Sequence, residues 1–137
     1  MKASTMKILL VDDDDELREA LCETLAIAGH QVTSAKGGNE ARALMRRVDV
    51  DILVTDILMP ERDGLEVIKE FHQLRPKAAI VAMSGGSGGV RGHLCLDLAS
   101  CFGATVVLRK PFMPPDLRRA VEEAAELEPL SGCLAQG

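Results

Sequence analysis

Five residues of types that could do chemistry together each stand at the end of an apolar run. Asp12 and Asp13 follow KILLV, Asp56 follows DILVT, Ser84 follows AAIVAM, and Lys110 comes just after ATVVL. Three carboxylates gathered at one place repel each other, and a hard divalent cation removes the conflict. Magnesium takes one or two carboxylates together with waters and phosphate oxygens, and manganese accepts the same oxygen donors. Asp13 and Asp56 are the expected direct ligands, with Asp12 binding directly or through water, and the Leu58 backbone carbonyl completes the protein's share.

The same set suits phosphoryl transfer. An Asp carboxylate can accept a phosphoryl group covalently. The transition state spreads charge over three equatorial oxygens, so positioning and charge stabilisation do most of the work. A cation would hold one oxygen, the Lys110 ammonium a second as a compact point charge, and the Ser84 hydroxyl a third.

The acid run Asp12–Glu16 divides under this reading. Asp14 and Asp15 are expected as N-cap and first-turn acids, favoured by the helix dipole, and only Asp12 and Asp13 go to the metal. Other candidates read as ordinary structure. His30, His72 and His93 lack metal-ligand spacing, and Arg118 and Arg119 share a solvated helix face with Glu122, Glu123 and Glu126. The stretch GGSGG (85–89) lacks the GK[ST] ending of a phosphate loop and the full spacing of GxGxxG.

Alternating elements must position these groups. Strands are expected over 7–11, 30–35, 51–55, 78–83 and 104–108, with 7–11 and 51–55 read as buried on both faces. Helical patterns cover 14–28, 39–47, 65–74, 90–100 and 116–127, with Gly29 past the first and Pro114 and Pro115 opening the last. The order βαβαβαβαβα calls for a parallel sheet with helices on both faces and right-handed crossovers. In such a sheet, function gathers at the carboxyl ends of the strands, where the five residues lie.

Composition narrows the function classes. The chain has 137 residues, enough for one domain with one core, and 2% aromatics leave no stacking surface for nucleobases. A net charge of −5 gives no basic groove for nucleic acid. No stretch approaches the roughly 18 apolar residues of a membrane span, and the apolar start is too short for a signal peptide. Cys22, Cys95, Cys101 and Cys133 form no CxxC pair and fit a reducing, cytoplasmic compartment.

The segments ILLVDDDDELREAL, DILVTDILMPERDGLEV, VAMSG and LRKPF occur in order. With Pro60 and Gly64 at the expected offsets from Asp56, the chain resembles the receiver domain of two-component response regulators over about residues 6–127. The resemblance implies a flavodoxin-like α/β fold, a doubly wound five-stranded parallel sheet of order 2-1-3-4-5 with five helices. It leaves 1–5 as an N-terminal extension and 128–137 as a tail. It implies that a histidine kinase or histidine phosphotransfer protein donates phosphate to Asp56, in a domain that catalyses its own phosphorylation and dephosphorylation. It also implies a cis Lys110–Pro111 bond that aims the lysine inward.

One position departs from the family. Most receivers carry Tyr or Phe two or three residues before the lysine, where this chain has Val107 and Leu108. Beside them Gly85, Gly86, Gly88, Gly89 and Gly92 crowd the start of the fourth expected helix. The expected readout is therefore a shift or ordering of loop 84–92, the following helix and the last strand, in place of a ring flip. Two alternatives stand beside this reading. One is a phosphorylation-independent interaction module on the same scaffold. The other is a magnesium-dependent phosphatase of the haloacid dehalogenase type, whose DxDx[TV] pattern fails here at Glu16 and Leu17.

Overall fold

The computed structural model describes residues 5–57, 64–84 and 103–127. Five strands run in one direction: β1 (Lys7–Val11), β2 (Gln31–Ala35), β3 (Ile52–Asp56), β4 (Ala79–Ser84) and β5 (Val106–Arg109). The helices are α1 (Asp15–Ile27), α2 (Gly38–Arg47), α3 (Gly64–Leu74) and α4 (Pro114–Leu127). All neighbouring strands pair in parallel, in the order β2-β1-β3-β4-β5.

The helix count corrects the expectation. The described residues form four helices, not five. The helix expected over 90–100 lies outside them, and it carried the weakest helical pattern, with five glycines around its start.

The central strands are apolar on both sides because both faces of the sheet are covered. Side chains alternate along each strand, so each strand feeds two cores. Leu9, Val11, Leu53, Ile80 and Ala82 pack with Met45, Ile68 and Phe71 of α2 and α3. Ile8, Leu10, Val54, Val81 and Met83 pack with Leu21, Leu25, Leu117 and Val121 of α1 and α4. The edge strands β2 and β5 are only partly covered, which matches their weaker apolar patterns.

Local signals set the helix ends. Asp14 is the N-cap of α1, with its side chain accepting from the Leu17 N–H. Gly29 follows α1 with φ +102°, a conformation that disfavours a side chain. Arg75 donates to the carbonyls of Met45 and Val48 and so caps the end of α2.

The sheet order brings the site together. From β1 the chain goes outward to β2, then returns past β1 to β3. The resulting crevice opens between the carboxyl ends of β1 and β3, and Asp12 and Asp56 lie there.

Candidate functional site

Asp12 directly follows β1. Its N–H donates to the Ala35 carbonyl at 3.2 Å, which carries the pairing with β2 one residue past the strand. Its carboxylate is fully buried. Oδ1 accepts from the Asp14 N–H at 2.9 Å, and Oδ2 accepts from Lys110 Nζ at 2.9 Å. Asp13, one residue on, points into solvent. Asp56 ends β3 and is 5% exposed, with its Oδ2 3.5 Å from Lys110 Nζ. One oxygen from each of Asp12, Asp13 and Asp56 lies within 4.8 Å of the others.

Lys110 closes the crevice from the far side of β4. Its N–H donates to the Ser84 carbonyl at 2.7 Å, which extends the β4–β5 pairing. The Lys110–Pro111 peptide bond is cis. Burial by itself would lower the Lys110 pKa. The Asp12 hydrogen bond and the charges of Asp56 and Asp12 outweigh it and hold the ammonium above its ordinary value. The lysine is therefore a fixed positive charge between two carboxylates.

Ser84 ends β4, with its Oγ buried and without a hydrogen-bond partner among the described residues. A buried hydroxyl without a partner costs free energy, so a further acceptor would be favoured there.

Sequence reasoning missed two contributors to this geometry, Thr55 and Arg18, and named Gly64 by its offset from Asp56 without its contacts. Thr55 is fully buried, and its Oγ1 donates to the Asp56 carbonyl at 3.0 Å. Gly64 opens α3 against the end of β3, and its N–H donates to the Ile57 carbonyl. A Cβ on Gly64 would fall on the Asp56 carbonyl oxygen and the Ile57 Cα. The second missed contributor is Arg18, which donates to the Asp12 carbonyl at 2.9 Å and to Asp15 at 2.7 Å. It was legible as the only cation in the stretch 12–23.

The donor set fits a hard divalent cation. Three carboxylates face one ammonium, all the donors are oxygen, and exposed Asp13 leaves the group open to solvent. Leu58, Gly85 and Gly86 lie outside the described residues. Val107 lies on β5 and is 41% exposed, while its neighbours Val106 and Leu108 pack inward.

The family profile of the response regulator receiver domain matches residues 8–122. The chain belongs to this family. It is 38% identical over 111 residues to the transcriptional regulatory protein CpxR of Klebsiella pneumoniae, covering 81% of this chain and 45% of that one. The chain spans from about a quarter to half of the length of the curated relatives it matches. A response regulator receiver domain protein from Clostridium thermocellum superposes with a TM-score of 0.77 at 28% identity, over 88% of this chain and 94% of that one. A CheY-like receiver domain protein from Methanospirillum hungatei gives 0.80 at 25% identity, over 90% and 95%.

As a receiver, the chain carries its acid cluster where the phospho-accepting site of response regulators lies. The cluster is consistent with self-phosphorylation and dephosphorylation. No helix of this receiver is long and apolar enough, among the described residues, to cross a membrane.

Proposed function

We propose that Asp56 accepts a phosphoryl group from a phosphohistidine of a histidine kinase or histidine phosphotransfer protein, with magnesium or manganese as cofactor. The observation that carries this reading is the meeting of the three carboxylates with Lys110 Nζ, together with a Ser84 hydroxyl that has no partner among the described residues. An Asp56 carboxylate oxygen attacks the phosphorus, the donor's P–N bond breaks, and the histidine leaves with the bonding pair. An acyl phosphate remains on Asp56 until water attacks the phosphorus and restores the carboxylate.

The chain's own residues divide the work. Asp13 and Asp56 would hold the cation, with Asp12 contributing directly or through water and the Leu58 backbone carbonyl completing the protein's share. When bound, the cation neutralises charge on the phosphoryl oxygens. Asp12 holds Lys110 in place through one oxygen and the Asp14 amide through the other. Lys110 pairs with a phosphoryl oxygen once Asp56 is esterified, and Ser84 donates its hydroxyl to another.

The working domain in this reading is 6–127, in the cytoplasm, with 1–5 and 128–137 as extensions. Its output is a change in protein contacts at loop 84–92, the segment after it and the β5 face, with Gly85, Gly86 and Val107 in place of an aromatic switch. Amide exchange with and without a phosphoryl mimic tests this output, and identical protection of residues 84–109 in both states rules it out.

Acetyl phosphate with magnesium, followed by intact mass, tests the chemistry. The expected result is one phosphate adduct on the native protein and none on Asp56→Asn or without the cation. No adduct on the native protein, or an equal adduct on Asp56→Asn, overturns the assignment.

A further inference from the structure

Asp12 is held at every polar atom it has. Its N–H donates to Ala35, its carboxylate oxygens accept from Asp14 and Lys110, and its carbonyl accepts from Arg18. Three of these contacts follow from the ladder and the site itself. The fourth comes from the second turn of α1. Arg18 reaches back with Nη1 to the Asp12 carbonyl at 2.9 Å, while Nη2 grips Asp15 at 2.7 Å. Its side chain is largely covered, at 15% exposure, unlike an ordinary surface arginine.

The Asp12 carbonyl belongs to the peptide that leads into Asp13. The Arg18 bond therefore fixes the plane from which the Asp13 carboxylate departs. Asp13 is the one exposed carboxylate of the cluster. A planar guanidinium with two separate donors can tie a carbonyl to a carboxylate, whereas an ammonium is a compact point charge.

We infer that Arg18 is a positioning residue for the divalent cation: by clamping the Asp12–Asp13 peptide to the first turn of α1, it holds the Asp13 carboxylate where the cation needs it. The inference rests on the cation site proposed above. It runs against simple electrostatics, which gives the experiment its sign. A positive charge beside a cation site repels the cation, so removing Arg18 through charge alone would tighten binding. Removing a positioning contact loosens it, and partners that orient metal ligands are typically worth 10- to 100-fold in affinity.

Manganese binding to the full chain, followed by electron paramagnetic resonance without any phosphodonor, separates the two. Native protein should bind saturably, and Asp13→Asn should lose that binding. Arg18→Ala should bind about tenfold more weakly. Arg18→Lys, which keeps the charge but cannot grip both partners in the same way, should fall between native and Arg18→Ala. In metal-free protein, the Asp14 amide should exchange faster in Arg18→Ala, because its acceptor Asp12 is less firmly held. Circular dichroism confirms that each variant is folded, and Arg18→Lys carries the test if Arg18→Ala is not. Native affinity in Arg18→Lys, or native or tighter affinity in Arg18→Ala, overturns the positioning role while leaving the site intact. Absence of saturable binding in the native protein, or undiminished binding in Asp13→Asn, overturns the site and this inference together.

Discussion

At the amino edge of the sheet Lys7 and Asp49 lie 3.6 Å apart with their side chains 49% and 84% exposed; at the carboxyl edge Lys110 and Asp12 lie 2.9 Å apart with the carboxylate fully buried. The residue types are the same, and their surroundings give them opposite uses. The amino edge closes on itself: the Lys7 N–H donates to Asp51, and Arg75 satisfies two carbonyls of α2 and its end. The carboxyl edge gathers three carboxylates against one ammonium and leaves the Ser84 hydroxyl without a partner among the described residues. One edge is finished by its own side chains, and the other has net charge and hydrogen-bonding capacity left for a cation and an anion.

The strongest way to break this comparison is to neutralise each lysine in turn. Lys110→Met leaves Asp12 buried without its cation, and urea unfolding in chelator should show a loss of about 3 to 4 kcal/mol. Lys7→Met removes a solvated pair and should cost less than about 1 kcal/mol. Equal losses would mean that the two edges do not differ in kind. The glycines give a second contrast. A Cβ at Gly64 would fall on the backbone of Asp56 and Ile57, so Gly64→Ala should cost about 2 to 3 kcal/mol and slow phosphorylation by acetyl phosphate. Gly29, near the amino edge, has open space around it and needs glycine only for its φ of +102°. Gly29→Ala should cost about 1 to 2 kcal/mol in urea unfolding and leave phosphorylation unchanged.

The same division explains what could be read from the sequence. β1, β3 and β4 were plain as apolar runs because both of their faces are buried, and the polar residue ending each run marked the carboxyl edge. The edge strand β5 was read as 104–108 and starts later, at Val106, because a half-covered strand has a weaker pattern. The meeting of Lys110 with Asp12 and Asp56 could be inferred from the topology of a parallel sheet. The contacts of Arg18, Thr55 and Gly64 could not, because each depends on where one side chain or one backbone turn comes back against the chain. The described residues form four helices, and the fifth expected one, over 90–100, lies outside them.

A site kept charged for binding should be less stable than its neutralised version. Within the described cluster three carboxylates stand with one ammonium at distances of a few ångströms, so the cluster carries excess negative charge around Asp56. Asp56→Asn should therefore raise the stability of the metal-free protein by about 1 kcal/mol in urea unfolding. Magnesium should then stabilise the native protein and leave the variant nearly unchanged, so that the difference shrinks or reverses. A variant less stable than native in chelator would show that Lys110 already balances the cluster.

The smallest effect belongs to the amino edge and tests whether it too contains a titrating group. His30 Nδ1 accepts from the Met6 N–H at 3.2 Å, a bond that a protonated Nδ1 cannot accept. Burial lowers the His30 pKa, and the Glu122 carboxylate, the charged group facing it from α4, offsets this only in part. The folded state thus binds the proton less readily than the unfolded chain. Its contribution is complete above the ordinary histidine value of 6.5 and fades as pH falls through the lower folded value. Because the ring is only half-covered, solvent screening limits the effect to a few tenths of a kcal/mol. Unfolding midpoints compared between pH 7.5 and pH 5.5 should fall slightly more for native protein than for His30→Gln, whose amide oxygen accepts the same bond at both values. Equal slopes would show that the contact contributes nothing that protonation can remove, and would leave the carboxyl edge as the one place in the described sheet where charge is held at a cost in stability.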